Sequence, residues 1–349
     1  FGMNVEIATY RLVEIDPADP ANLDASFEIQ GACRTHDRPY LPPVSRYHHD
    51  ATLRVPWPGA TVANWLAYRD DQPVGVGSVS LPQRDNLNNA WCELEVHPDH
   101  RRRGAGRAIY QQIVGYAKAA GRTKVMGDAL EPLPGGPPLP GSGAPFAHAV
   151  GMTAALREVR RRLDLSTADT EAYGPLLAEA WQRAGGYSLV QWRDRAPAEY
   201  HADIGYLDGR LVSDAPSGDL AWEPENIDAE LVRQNEDVRI AHGDRCYSSA
   251  IRHDASGRLV GLTALIFDHS VTEHAWQQIT LVDPDHRGHR LGTVVKIENL
   301  RYALGHEPGL RVIDTYNAAV NDHMIAINEA MGFRPVDGLV SWQQSISSG

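Results

Sequence analysis

The chain has 349 residues, a formal net charge of -12 and three cysteines, a length that exceeds one ordinary core and fits two domains of about 150 to 200 residues. The acidic balance argues against a nucleic-acid binder, because phosphate backbones are held by clustered Lys and Arg, and no run approaches the roughly 18 apolar residues of a membrane helix. Cys33, Cys92 and Cys246 are scattered, odd in number and without metal-type spacing, and no secretory signal is visible, so we expect a cytoplasmic protein without a disulfide framework or metal.

Phe1 and Gly2 ahead of Met3 read as residues left from expression. Thr61–Tyr68 and Val74–Leu81 alternate as strands around the turn Asp70-Asp71-Gln72-Pro73, and Ala90–His97 reads as a third strand. Gly106–Ala120 is expected to be a helix, with Ile109, Ile113, Val114 and Ala117 on one face and Gly121 as its stop. Lys124–Ala129 reads as a short strand. The Pro/Gly-rich stretch Glu131–Pro145 reads as a surface loop, and Ala155–Leu165 as the last strand of a first domain. Within that strand Arg160, Arg161 and Arg162 are expected at the surface. Ser166-Thr167-Ala168-Asp169 resembles the cap of a linking helix. The second half repeats the pattern with strands at Arg258–Phe267 and Ala275–Val282, a helix at Leu291–Leu304 and a strand at Arg311–Thr315. His48-His49 reads as polar loop.

One phrase occurs twice, Val96-His97-Pro98-Asp99-His100-Arg101 and Val282-Asp283-Pro284-Asp285-His286-Arg287. Gly106 and Gly292, and Asp128 and Asp314, stand at the same offset as Arg101 and Arg287, so the halves are internal repeats. Each phrase follows an apolar strand and leads through a glycine-containing turn into a helix. Backbone N–H groups at a helix start lack intrahelical partners, and the helix dipole adds positive potential, so each turn is a candidate phosphate site. Gly104 and Gly106 allow close backbone approach, and Arg101, Arg102, Arg103 and Arg107 add charge. The second turn offers Arg287, Gly288, His289, Arg290, Gly292 and Thr293. His97/His100 and His286/His289 lack further ligands for zinc.

At these residues the chain resembles the GNAT superfamily of acyl-CoA-dependent N-acyltransferases, whose signature is Arg/Gln-x-x-Gly-x-Gly/Ala after a strand. Arg101, Gly104 and Gly106 match it in full; Arg287 and Gly292 match, with Arg290 where glycine is usual. The later run Asn321-x-x-Met324-x-x-x-Asn328-x-x-x-Gly332-Phe333 keeps the spacing of the family's second signature, with Asn328 at its tyrosine position. The first half has Pro140 and Ala147 at the corresponding places. The resemblance implies an α/β fold of two tandem GNAT-like domains, residues 3–165 and 166–349, each a mixed, mostly antiparallel central sheet flanked by helices.

It also implies acetyl-CoA or another acyl-CoA as co-substrate and a small-molecule primary amine as acceptor, in a monomer or homodimer. Asn321 and Asn317 are then expected beside the pantetheine arm, and a backbone N–H near Val282 or Val96 at the thioester carbonyl. Acyl transfer needs a neutral amine and donors for the developing oxyanion. Glu93 and Glu95 are candidate bases, with a solvated strand face as the plainer reading. Tyr316 and Asn328 are the candidates for proton delivery, with packing at a strand end the plainer role of Tyr316. Catalysis is expected in the second domain, which alone keeps the Asn321 helix. The alternatives are a non-catalytic acyl-CoA-binding protein and catalysis in the first domain. The acceptor is not legible in the loops around Cys33–His49 and Tyr200–Trp222.

Overall fold

The computed structural model describes residues 10–141 and 143–347; the Phe1-Gly2-Met3 lead and the expected domain start at residue 3 lie outside them. The chain forms two compact units. The first takes the residues up to Glu131, Pro138–Ala155 and those from Val340 on; the second takes Pro132–Pro137 and Leu156–Leu339. Among the described residues no helix is long and apolar enough to cross a membrane.

The first unit begins with β1 (Tyr10–Glu14), α1 (Pro20–Asp37) and α2 (Arg46–Arg54). Asp19 caps α1 by accepting the Ala21 N–H at 2.9 Å, with Pro20 pre-set for the first turn. Ser45 caps α2, which carries His48 and His49. These histidines are therefore helical, not loop, and His49 is buried against Ser26 Oγ at 2.9 Å. Next come β2 (Ala60–Arg69), β3 (Gln72–Pro82), β4 (Asn89–Val96), α3 (Ala105–Ala119), β5 (Lys124–Glu131) and α4 (Gly143–Ala149). The expected loop 131–145 thus ends early: Pro145 lies in the first turn of α4, where a missing N–H costs nothing.

β1 to β4 pair antiparallel in sequence order, and β5 joins β4 in parallel. Strand alternation sorts the two faces. Trp65, Ala67 and Val74 pack with Ile109 and Ile113 of α3, while Leu66 and Val76 pack with Ile29 and Cys33 of α1. Fully burying each such isoleucine contributes about 1.5–3 kcal/mol. Gly75 and Gly77 let α3 lie directly on β3, since a Cβ at either would stand 2.8 or 2.2 Å from the Ile109 side chain. Val340, Trp342 and Ile346 complete this core.

After β6 (Thr153–Asp164), Ser166 donates its N–H and hydroxyl to Asp164 Oδ1 at 2.9 and 2.6 Å. Ser166–Asp169 therefore closes the strand in a turn; the helix expected there, α5 (Tyr173–Gln182), starts later. The second unit continues with β7 (Tyr187–Arg193), α6 (His201–Gly209), α7 (Leu211–Asp214), α8 (Ala229–Ala241), β8 (Arg245–His253), β9 (Leu259–Phe267), β10 (His274–Gln277) and β11 (Leu281–Val282). It ends with α9 (Leu291–His306), β12 (Val312–Ala318), α10 (Asp322–Met331) and the first half of β13 (Arg334–Ser345). Its sheet runs β6-β12-β10-β9-β8-β7, with only β10 and β12 parallel. Both units thus have a mixed, mostly antiparallel sheet flanked by helices.

The arginine run of β6 departs from its expected surface position. Arg160 is fully buried, donating from Nε and Nη2 to Asp337 at 2.8 and 2.7 Å and from Nη1 to Asp314 at 2.7 Å. Arg161 is also buried, and Arg162 grips Asp314 at 2.9 and 2.7 Å. His274 holds the other side of Asp314 at 2.7 Å. Burial alone would raise the Asp314 pKa; the His274 and Arg162 hydrogen bonds and the Arg160 charge reverse this and hold it well below the usual carboxylate range.

Candidate active site

In each unit the parallel strand pair parts midway. β4 meets β5 from Asn89↔Lys124 to Trp91↔Met126, and β10 meets β12 from His274↔Val312 to Trp276↔Asp314. Beyond those pairs each strand couple opens a gap, and the turn at the end of the outer strand leads into a helix, α3 or α9. An extended arm entering such a gap has its phosphate end at a helix N-terminus.

The two outer strands differ in one respect. β4 keeps an unbroken ladder with β3 from Trp91↔Ser80 to Val96↔Gly75. In the second unit Gln277 faces Leu265, yet Leu281 faces Leu262, so Gln278–Thr280 carries one residue more than the opposing strand. The strand expected at Ala275–Val282 is therefore two pieces around a bulge, which interrupts the ladder while the Gln278 N–H still donates to the Ala264 carbonyl at 2.9 Å. Gln277 braces it, donating from Nε2 to Thr263 Oγ1 at 2.7 Å and to the Gln278 carbonyl at 2.9 Å.

The turns share a construction. Arg101 donates from Nε to the Val96 carbonyl at 2.8 Å and grips Asp37 of α1 at 2.8 and 2.7 Å. Its guanidinium is thus committed to the protein, and the bond holds the Asp37 pKa below its ordinary value despite burial. Arg287 repeats the bond to the Val282 carbonyl at 3.1 Å and approaches Asp214 of α7 at 3.3 Å. Arg102 takes a positive φ of 62°, and the Arg103 carbonyl accepts from Tyr10 OH at 2.8 Å. Gly104 (φ 98°) precedes α3 and Arg290 (φ 59°) precedes α9, neither giving a side-chain cap, which leaves the helix-start N–H groups to a ligand.

Space in front of Gly288 is open, while Gly106 abuts Phe146 and Gly292 abuts Ile327. Arg107 donates to the Ala149 carbonyl at 3.1 Å, Thr293 is buried, and His289 contacts the Arg183 carbonyl at 3.3 Å. His286 Nδ1 shares a 2.9 Å hydrogen bond with Tyr187 OH. Among the described residues no group of three His, Cys, Asp or Glu gathers as a metal site.

The remaining candidates separate by face. In the first unit Glu93 and Glu95 lie on the α1 side of β4. Glu93 is exposed, yet the atoms around it desolvate it enough to raise its pKa; Glu95 is raised likewise, with Arg38 at 3.8 Å partly opposing. Asp128 on β5 joins them, accepting from Ser341 Oγ at 2.6 Å and pushed up to about 6 by desolvation. In the second unit Tyr316 stacks on Trp276 at 5.8 Å and 11°, with Asp314 on the same strand face. Asn317 and Asn328 lie on the opposite, α10 side. Asn328 is wholly buried, donating from Nδ2 to Asn317 Oδ1 at 2.6 Å and accepting from Lys296 Nζ. Asn321 caps α10, its Oδ1 accepting the Met324 N–H at 3.3 Å.

Lys296 was not among the residues marked from sequence. Its signal is a lone cation inside the apolar run Val294-Val295-Lys296-Ile297. It is buried over the Phe333 ring at 5.1 Å, and desolvation lowers it to about 7. The Asp37 partner of Arg101 and the bulge at 278–280 were likewise beyond local sequence reading.

Both units thus set a parted parallel strand pair ahead of a helix whose first N–H groups lack a side-chain cap. The profile of the acetyltransferase (GNAT) family matches residues 29–131. The structure is similar to a tandem GNAT protein from the clavulanic acid biosynthesis pathway, at 30% identity and a TM-score of 0.82, covering 98% of this chain and 99% of that one. It shares its fold with a GCN5-related N-acetyltransferase from Sphaerobacter thermophilus, at 14% identity and a TM-score of 0.60, over 97% and 96% of the two chains. A mycothiol acetyltransferase of Saccharomonospora viridis is 24% identical over 284 residues, 77% of this chain and 79% of that protein. The chain belongs to the GNAT family of acetyltransferases.

Proposed function

We propose that this protein is a cytoplasmic N-acetyltransferase that moves an acetyl group from acetyl-CoA to a primary amine of a small molecule, with the chemistry in the second unit. The bulge at Gln278–Thr280 carries this reading, because an acyl transferase needs a backbone donor aimed at the thioester carbonyl, and an unbroken ladder spends its donors on the neighbouring strand. Pyrophosphate binds the N–H groups at the start of α9, in the turn from Arg287 to Thr293, and the pantetheine arm runs between β11 and β12 past Asn317. The amine nitrogen enters from the Trp276–Tyr316 side and attacks the carbonyl carbon; the C–N bond forms, the C–S bond breaks, and one proton passes from nitrogen to the sulfur of CoA. The first unit binds a second acetyl-CoA at Arg102–Gly106 without turnover.

A second reading is favoured by one observation. Glu93 and Asp128 flank the gap of the first unit with raised pKa values, as a base for an incoming ammonium requires. Calorimetry with acetyl-CoA, alongside transfer to a panel of amines, separates the two. We expect two equivalents bound, with transfer surviving Gly104→Glu and lost with Gly292→Glu. Transfer lost only with Gly104→Glu moves the chemistry to the first unit, and absence of binding removes the acyl-CoA reading.

A further inference from the structure

Lys296 is a cation sealed between α9 and α10 whose partners are an amide and a ring. Its Nζ donates to Asn328 Oδ1, Asn328 Nδ2 donates to Asn317 Oδ1 at 2.6 Å, and Phe333 lies under the ammonium at 5.1 Å. In its ammonium form Lys296 carries donors and no acceptor. The Asn328 atom facing it must then be oxygen, the atom facing Asn317 must be nitrogen, and the Asn317 atom facing back must be oxygen. The end of Asn317 left over is its NH2. Asn317 also has a particular place on β12. The ladder to β10 stops at Asp314, and Thr315 still reaches back to the Gln277 carbonyl at 3.4 Å. Asn317 is the next residue on that face, level with the opened gap.

We propose that Lys296 is a positioning residue that fixes the polarity of the Asn328–Asn317 amide chain, so that Asn317 presents N–H groups, and not a carbonyl oxygen, to an acyl thioester lying between β11 and β12. This rests on the second-unit acyl-CoA reading above. Without the lysine, an amide pair reads equally well in either direction. With it, a donor is added on the α10 side of the gap, opposite the bulge, where charge develops on the carbonyl oxygen. Burial lowers the Lys296 pKa to about 7, and a neutral amine would also accept a hydrogen bond, so the polarity is imposed by the ammonium form and the test is run near pH 6.

The test compares acetyl-CoA with S-ethyl-CoA, a thioether that lacks the carbonyl, by calorimetry in the Gly104→Glu background so that only the second unit reports. We expect acetyl-CoA to bind at least tenfold more tightly. Lys296→Met, which keeps volume and removes the donor, collapses the ratio below threefold and leaves S-ethyl-CoA affinity within threefold. Lys296→Arg, which keeps donors and no acceptor, recovers most of the ratio. Asn328→Asp gives Lys296 a counter-ion but has no donor for Asn317, so it reverses that amide and abolishes the preference. A ratio near one before substitution at 296, or one that survives Lys296→Met, overturns the inference alone. Failure of the background protein to bind either ligand overturns the acyl-CoA site of the second unit and the inference with it.

Discussion

Gly104 and Arg290 occupy the same point of the two repeated turns, each with positive φ immediately before a helix and each without a capping side chain. Glycine takes that conformation freely, whereas arginine is strained there by roughly 1–2 kcal/mol. Its side chain recovers little, since Glu179 stands 3.8 Å away with both groups exposed. Arg290→Gly is therefore expected to stabilise the protein by ~1 kcal/mol in urea denaturation. Acetyl-CoA affinity of the second unit should fall severalfold as the local charge is lost. A destabilised variant would show that the Arg290 side chain holds the turn.

Asp37 holds Arg101 by two hydrogen bonds, and Arg101 in turn holds the strand-end carbonyl of Val96. Asp37→Asn takes the counter-charge from a largely sheltered Arg101, at a cost of about 1–3 kcal/mol. Because the guanidinium organises the turn, acetyl-CoA binding to the first unit should weaken about tenfold while the second site is unchanged. Two-site calorimetry resolves the pair, and an equal loss at both sites would contradict the assignment.

Arg160 compensates two buried carboxylates at once. Arg160→Met strands Asp337, takes one of three partners from Asp314 and is expected to cost ~3–5 kcal/mol, far more than Arg162→Met, because Arg162 is partly exposed. The depressed Asp314 pKa makes the folded state bind fewer protons than the unfolded one in acid. Its stabilisation is whole above the unfolded value of about 4 and is lost as pH falls toward the folded one. Chemical denaturation between pH 3 and 7 should therefore show a shallower acid decline for Asp314→Asn than for the parent.

Lys296 gives a slope of the same sign in a higher pH window. Its folded value is about 7 against 10.5 in the unfolded chain, so between those values the unfolded chain carries a proton that the folded one lacks. Stability from this group therefore rises with pH across that window. Lys296→Met should be more stable than the parent by about 1–4 kcal/mol at pH 7, with the gain shrinking toward pH 10. A variant that melts lower at every pH would mean that the lysine is held by contacts beyond Asn328 and Phe333.

Local pattern made much of this legible. Alternation at Trp65–Leu66–Ala67, the face of Ile109 and Ile113, and the repeated turn each depend on neighbours within one or two elements. What escaped depends on partners brought close only by the fold. Arg160 looks like a surface arginine until Asp314 and Asp337 arrive beside it. The extra residue at Gln278–Thr280 is invisible without the strand opposite. The partings of β4 from β5 and of β10 from β12 are likewise properties of register, so the gap could be inferred from the family resemblance and not from the residues lining it.

Val340, Trp342 and Ile346 lie in the same core as Ile109 and Trp65, and this imposes an order on biosynthesis. A ribosome completes every residue of the second unit before it delivers the last apolar side chains of the first. The earlier-made unit must wait, with its sheet margin unfinished at β5, through the synthesis of its neighbour. Separate expression of the two halves cut after β6 would leave the first without those side chains, so its failure to accumulate would say nothing about the worth of its phosphate turn.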